Sequence, residues 1–321
     1  MTTMRATIIY GTGAPGVLVP AEVPRAERIN SEVLVRVVSA GINPLDAKTR
    51  SGSGVSAAIC HYPAVLGYDF SGVVVESPYE ACPFPPGTEV FGMTSAPRSG
   101  GSYAEYVAVS AMSLARKPAE ISHDEAAGVP LAALTAWGLV VDVARAHDGQ
   151  RMLIHAGAGG VGHFAVQFAS FFGARVTATG STGNLPFLEQ LGAERALDHT
   201  TERFDEVLSG LDVVIDLVGN VADDTGTRSL RVLRRGGLLV NVPTGSWPTM
   251  AAEAEAAGIR STGYKVAPDG AILAVIARLI ASGEVRVHVD RVFDLADAAA
   301  AHTALESGHT RGKIVLRVGD E

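Results

Sequence analysis

Cysteine is nearly absent: the chain has two among 321 residues, Cys60 and Cys82. That excludes a small secreted scaffold built on disulfides and suits a reducing compartment, so the expected location is the cytoplasm. The opening MTTMRATIIYG lacks the long apolar core of a signal peptide. No apolar run approaches the ~18 residues of a spanning helix, so no membrane partner is expected. Positive charge is in deficit, with 26 Lys and Arg against 34 Asp and Glu and a formal net charge of −8. A duplex binder carries a basic stripe, and none occurs here, which argues against nucleic acid and against an anionic membrane surface. Internal repeats and low-complexity tracts are also missing.

What is present is a chain able to build a large core: 47% hydrophobic, 19% charged, with 36 glycines. At roughly 150 residues per domain, about two domains are expected. The first third reads as short strands at 7–10, 32–39, 72–76 and 89–93, rich in Val, Ile and Phe and bounded by Gly, Pro and Ser. Near Ser122 the pattern becomes helical, with Ser122 as N-cap and Glu125 three residues later. After Gln150 strands alternate with helices: strands at 151–156, 175–179, 211–217 and 237–242, helices at 162–172 and 185–191. That alternation indicates βαβ units and a doubly wound parallel sheet, hence an α/β fold. The tail reads as helix 269–281, strand 285–292, helix 296–306 and strand 313–318. The last strand is too short to stand alone and is expected to rejoin the N-terminal β domain.

The sharpest local signal is GAGGVG at 157–162, which follows a strand and opens a helix. Gly157 permits the sharp turn, Gly159 lets the backbone approach a pyrophosphate, and Gly162 lets helix and strand pack closely. The helix behind it carries Phe164, Phe168 and Phe171 at helical spacing, an expected buried face. A site for NAD usually places Asp or Glu at the end of the second strand, and no carboxylate occurs there through Asn184. Its absence admits a 2′-phosphate, to which Ser181, Thr182 and Asn184 can donate, although the loop holds no Lys or Arg. NADPH is therefore the expected cofactor, with a plain polar turn at 181–184 left open.

Several motifs occur in order: AGINPLDAKTR (40–50), PAVLGYDFSGVVVE (63–76), GGSYAEYVAV (100–109), AAGVPLAALTAW (126–137), HAGAGGVG (155–162) and RGKIVLRV (311–318). With these, the chain resembles the zinc-independent quinone oxidoreductase (ζ-crystallin-like) and enoyl reductase branch of the medium-chain dehydrogenase/reductase superfamily. The resemblance implies a GroES-like catalytic domain, 1–121, completed by 265–321. It implies a Rossmann domain, 122–264, with the cofactor in the cleft and a homodimeric assembly. Carried over residue by residue, it puts Asn43 and Thr135 beside the nicotinamide and Gly159, Gly160 and Val161 at the pyrophosphate. Ser181, Asn184 and His199 fall at the adenosine phosphate, Val242 near the nicotinamide, and Lys313 late beside the cofactor.

Zinc relatives hold their metal through Cys, His and a further Cys or acid. The corresponding positions here read Asn43, Gly67-Tyr68-Asp69 and Ala132, so no metal is expected, and the Cys60-His61 pair lacks further ligands. Without a metal to stabilise an alkoxide, a conjugated acceptor is the easier substrate. The expected reaction is hydride transfer to a quinone or an α,β-unsaturated carbonyl, with Lys48, Tyr68 and Asn43 as the catalytic candidates. The family often has Tyr where Lys48 stands. Lys48 alternatively pairs with Asp46, and Tyr62 is a lesser donor candidate. The loop 51–60 and the segment around Trp247 are expected to shape the substrate pocket. Two other readings stay open: an NADPH-binding sensor or structural protein without turnover, and a zinc-type alcohol dehydrogenase.

Overall fold

The computed structural model describes residues 2–97, 100–221 and 223–319. The chain divides into two compact units, Met1–Leu134 with Ala267–Glu321, and Thr135–Val266. In chain order the first unit contains β1 (Thr3–Ile9), β2 (Val19–Pro24), β3 (Glu32–Ile42), α1 (Pro44–Arg50), β4 (Ala64–Val65) and β5 (Asp69–Glu76). It continues with β6 (Glu89–Met93), β7 (Tyr106–Ser110), β8 (Leu114–Arg116) and α2 (His123–Ala127), and ends within α3 (Pro130–Trp137), whose last three residues belong to the second unit. The sequence boundary at 121/122 is therefore corrected: residues 122–134 stay with the first unit. α2 packs on β3 and β5, and Leu131 at the start of α3 donates its N–H to Asp69 on β5.

The helical pattern expected from His123 onward is formed as two helices, divided at Gly128-Val129-Pro130. Pro130 has no N–H to give to an earlier turn, so it opens a new helix rather than extending the old one. A π-helical turn, Gly138–Val143, follows α3.

The second unit alternates strand and helix: β9 (Arg151–Ile154), α4 (Gly162–Phe171), β10 (Arg175–Gly180), α5 (Leu185–Gln190), β11 (Arg195–Asp198) and α6 (Phe204–Val207). Then come β12 (Leu211–Asp216), α7 (Thr225–Val232), β13 (Leu233–Asn241), α8 (Met250–Ala256) and β14 (Arg260–Gly263). Among the described residues the sheet has six strands in the order β11-β10-β9-β12-β13-β14, all parallel. The chain leaves β9 toward β10 on one side and returns as β12 on the other. The crevice at such a reversal, outside the carboxyl ends of the strands, is where doubly wound sheets bind ligands. Phe164 and Phe168 on α4 are fully buried, as their spacing requires. Phe171 is not: it is 46% exposed, at the last residue of the helix, and packs edge-on against Phe172.

The chain then supplies α9 (Gly270–Ala281), β15 (Val289–Asp294), α10 (Ala298–Glu306) and β16 (Lys313–Arg317) to the first unit. β16 pairs antiparallel with β3, Ile314 opposite Ile42, and parallel with β15. Its residues are Lys-Ile-Val-Leu-Arg, and Ile314, Val315 and Leu316 are fully buried. The C-terminal strand thus joins the N-terminal sheet because neither face of it is polar enough to face water. The β15 element lies later than the expected strand at 285–292.

Ser122 caps α2 as the sequence suggested. Its Oγ accepts the N–H of Glu125, and the Glu125 carboxylate accepts the N–H of Ser122. Replacing it, Ser122→Ala, is expected to cost about 1 kcal/mol, read as a lower urea midpoint with an unchanged slope.

Candidate functional site

In the second unit the glycine loop leaves the carboxyl end of β9 and enters α4. The turn is held from beneath by Thr179 on β10, whose carbonyl accepts the N–H of Gly157 at 2.9 Å and whose hydroxyl accepts that of Ala156 at 3.2 Å. Ala156 adopts a left-handed backbone, φ 50°, to make the bend. A Cβ on Gly162 would lie 2.2 Å from the carbonyl oxygen of Ala156, so only glycine lets the helix start this close to the loop. Around Gly159 the situation is reversed: the only atom within reach of a Cβ is the Ala156 oxygen, at 3.3 Å. The backbone there lies open to an approaching group. Gly157, Gly159, Gly160, Val161 and Gly162 thus form a cradle at a helix N-terminus, where the helix dipole favours an anion. It fits the pyrophosphate of a dinucleotide.

His155, just before the loop, is a residue the sequence reading passed over. It is buried, with Nδ1 against the Thr179 hydroxyl at 3.2 Å and Nε2 against the Ser229 hydroxyl at 3.0 Å. Burial, aided by Arg228 and His199, drives its pKa down to about 3, so it is neutral and ties β9 to β10 and α7. The signal was present in the sequence as the His of HAGAGGVG.

At the end of β10, Ser181 precedes a 3-10 turn, Thr182–Asn184, and the Asn184 amide donates to the Ser181 hydroxyl at 3.1 Å. His199 follows β11, its N–H bonded to the carbonyl of Gly180 and its side chain exposed. Ser181, Asn184 and His199 therefore converge on the ends of two adjacent strands. So does a carboxylate that a scan along the second strand alone misses: Asp198, the last residue of β11, is paired in register with Gly180. One of its oxygens takes the N–H and hydroxyl of Thr200, at 2.9 and 2.6 Å, and the other takes the hydroxyl of Thr182. These bonds, that from Thr182 foremost, hold its pKa below the usual carboxylate range.

Val242 stands one residue past β13, with its N–H bonded to the carbonyl of Asp216. Asp216, at the end of β12, is a further residue not anticipated. It is buried and accepts the N–H groups of Val218 and Gly219 through one oxygen, and burial raises its pKa. In the segment around Trp247, expected to shape the substrate pocket, Trp247 itself is a core residue: it is 6% exposed, packs in the cluster with Leu230 and Leu239, and donates to Glu253.

In the first unit the sequence candidates gather around the start of α1. Asn43 is its N-cap and is buried. Its backbone N–H donates to Asp46 at 2.9 Å, its side-chain N–H donates to Asp69 at 2.9 Å, and its side-chain amide oxygen Oδ1 accepts from Lys313. The Lys313 ammonium also donates to the carbonyl of Ile42 at 2.7 Å and lies 3.8 Å from Asp69. Asp69 completes the set by accepting the N–H of Leu131 at 2.8 Å. Lys313 is thus no solvated strand end but a buried strut, and the Asn43 amide is committed to holding it. Burial lowers the pKa of Lys313, against the pull of Asp69 and Asp46. Burial raises Asp69 to about 6 and, helped by the charge of Asp69, raises Asp46 to about 7. One oxygen of Asp46 has no hydrogen-bond partner among the described residues.

Tyr68 is buried next to this cluster, and burial together with Asp46 raises its pKa well above that of a free phenol. Lys48 lies in the last turn of α1 and is exposed, while Asp46 is buried, and the ion pair considered between them is not formed. Tyr62 is 44% exposed, and Thr135 is buried within α3. Cys60 is exposed and Cys82 is buried, and no group of three or more His, Cys, Asp or Glu among the described residues is arranged to hold a metal ion.

Comparison with known proteins gives a consistent set of relatives. Residues 30–119 match the alcohol dehydrogenase GroES-like domain family, and residues 191–316 match the zinc-binding dehydrogenase family. The chain is 36% identical over 295 residues to an NADPH-dependent alkenal/one oxidoreductase, chloroplastic, of Arabidopsis thaliana, covering 89% of this chain and 72% of that protein. It is 32% identical over 325 residues to a mitochondrial NAD(P)H oxidoreductase, RTN4IP1, of Mus musculus, covering 90% and 82%. Among solved structures it resembles the quinone oxidoreductase from Coxiella burnetii, with a TM-score of 0.93 and 36% identity over 99% of this chain and all of that one. Two of these relatives are named for organelles, so kinship does not carry the cytoplasmic location expected from composition.

Two outcomes follow from the buried cluster. Lys313→Met leaves Asp69 buried without its cation and is expected to cost about 3–5 kcal/mol, read by chemical denaturation at pH 7. Between the unfolded carboxylate range and about pH 7 the folded chain binds a proton at Asp46 that the unfolded chain releases, so stability falls as pH rises through that window. Asp46→Asn is expected to flatten this fall, read as denaturation midpoints from pH 4 to pH 8. An equally steep fall in the variant would place the titrating group elsewhere.

Proposed function

Because the chain belongs to the medium-chain dehydrogenase/reductase superfamily and its named relatives are oxidoreductases, we propose that it is an NADPH-dependent, zinc-independent reductase of quinones or α,β-unsaturated carbonyls. The observation that carries the reading is the open backbone at Gly159 above the closely packed Gly162, on the carboxyl side of β9. Support for NADPH comes from the hydroxyl and amide groups of Ser181 and Asn184 and from the name of the plant relative. When bound, the reduced nicotinamide supplies a hydride. Everything else asked of the protein is positioning and electrostatics.

In an enone the hydride arrives at the β-carbon, the C=C electrons move to the carbonyl oxygen, and a proton completes the product at the α-carbon. In a quinone, hydride and proton together give the hydroquinone. Either way negative charge grows on an oxygen, and a hydrogen-bond donor held in place stabilises it. Tyr68 is the donor candidate by position: it is buried beside Asp69 and Asp46, and its phenol, like any phenol, is protonated at neutral pH. Asn43 and Lys313 serve behind it as positioning residues, because their polar atoms are spent on each other, on Asp69 and on backbone. Lys48, on the exposed side of α1, is the second donor candidate. The residues at the positions of family zinc ligands, Asn43, Tyr68 and Asp69, are not the Cys and His set that zinc prefers. The reading includes a homodimer located in the cytoplasm.

The test is oxidation of NADPH with 1,4-benzoquinone, 9,10-phenanthrenequinone, an enone and an enoyl thioester. Turnover with the quinones alone assigns the quinone branch, and turnover with the enone or thioester assigns the enoyl branch. Tight nucleotide binding without any turnover would turn the reading into that of a nucleotide-binding sensor, and bound stoichiometric zinc would overturn the metal argument. Tyr68→Phe is expected to lower kcat at least tenfold with KM for NADPH unchanged. A loss in Lys48→Met instead would move the donor role to Lys48.

A further inference from the structure

The end of β11 brings a fixed negative charge to the place where the second strand of the sheet ends. Asp198 and Gly180 are register partners, the last residues of their strands, and the Thr182 hydroxyl on the following turn is bonded to the Asp198 carboxylate. That hydroxyl is one of the groups expected to receive a 2′-phosphate, and the structure commits it to a carboxylate instead. Thr200 anchors the other oxygen through both its N–H and its hydroxyl, so the charge cannot swing away by a simple rotation. No compensating cation lies in the turn, since residues 181–194 contain no Lys or Arg. Arg195, the next cation along the chain, lies at the opposite end of β11 from Asp198 and pairs with Glu202 at 3.7 Å.

At the end of the second strand of such a sheet a carboxylate accepts a hydrogen bond from a ribose 2′-hydroxyl and repels a 2′-phosphate; Asp198 stands one strand over, is 4% exposed, and brings its charge to that place through the Thr182 hydroxyl bonded to it. We propose that Asp198 is the residue that sets the choice of nucleotide, narrowing the preference for NADPH so that NADH is also accepted. This rests on the reading of the loop at Gly157–Gly162 as a nicotinamide nucleotide site. Asp198 acts in it from the third strand rather than the second, through Thr182. The neighbouring donors Ser181 and Asn184 are bonded to each other, which leaves the carboxylate as the strongest charge at the strand ends.

The experiment is a fluorescence titration of the full chain with NADPH and NADH, together with calorimetry of 2′,5′-ADP and 5′-AMP. For the unaltered chain the dissociation constants of NADPH and NADH are expected to lie within about tenfold of each other. Asp198→Asn removes the charge and keeps acceptor and size, and is expected to shift the ratio toward NADPH and 2′,5′-ADP by about tenfold or more. Thr182→Val frees one Asp198 oxygen and is expected to shift it the other way, toward NADH. The second variant also decides the matter if Asp198→Asn fails to fold. A ratio that stays within about twofold in both variants, with both nucleotides still bound, overturns the role of Asp198 and leaves the nucleotide site standing. Binding of neither nucleotide by the unaltered chain overturns both.

Discussion

The buried ammonium of Lys313 is the constraint around which the first unit is organised. A cation taken out of water is costly unless oxygens surround it, and here the carbonyl of Ile42, the amide oxygen of Asn43 and the carboxylate of Asp69 do so. Those partners sit on the end of β3, the cap of α1 and the start of β5, while Asp69 also holds the first turn of α3. Five elements far apart in sequence are thereby locked to one point, from residue 42 to residue 313. The C-terminal return is thus more than an added strand: β16 brings the one ammonium that, among the described residues, is ion-paired with the buried Asp69 carboxylate. The same lattice fixes the backbone around Tyr68, so the stability of the unit and the placement of its candidate donor share one cause.

The second unit rests on a different kind of constraint. Its loop needs close approach of backbone to backbone, which Gly162 permits, and a neutral polar brace beneath, which His155 and Thr179 provide. The brace works because burial keeps His155 uncharged, so it can bond two hydroxyls without demanding a counterion. At the next strand ends the chemistry is set by charge rather than by shape. Hydroxyl and amide donors and one ionised carboxylate compete for the same small region, and hydrogen bonds among them decide which remain available to a ligand.

Much of this was legible in the residues. The alternation after Gln150, the cap at Ser122, the return of the last strand and the glycine loop all follow from local patterns with local causes: apolar periodicity, a reciprocal cap, a close helix–loop approach that only glycine allows. The site residues were less legible. Resemblance put Lys313 beside the cofactor, and only the packing of β16 against β3 shows it buried and bonded to Asn43 and Ile42. Phe171 has the right spacing for a core face yet is exposed, because periodicity says nothing about what stands opposite the last turn. Trp247 suggested a pocket and proves to be core.

What the sequence by itself determined is whatever depends on neighbours within a few residues: the elements, the class of fold, the glycine loop between β9 and α4 and the kinship carried by ordered motifs. Only the tertiary structure decided which polar side chains are spent on one another. Asp198 lies 36 residues beyond Gly162, on a different strand from the one where a ribose-binding acid is sought, and it reaches the site sideways through strand pairing. Lys313 meets Asn43 across 270 residues. Hydrogen bonds and charge interactions act over a few ångströms whatever the separation along the chain, so their outcome is set by the fold and cannot be read from spacing.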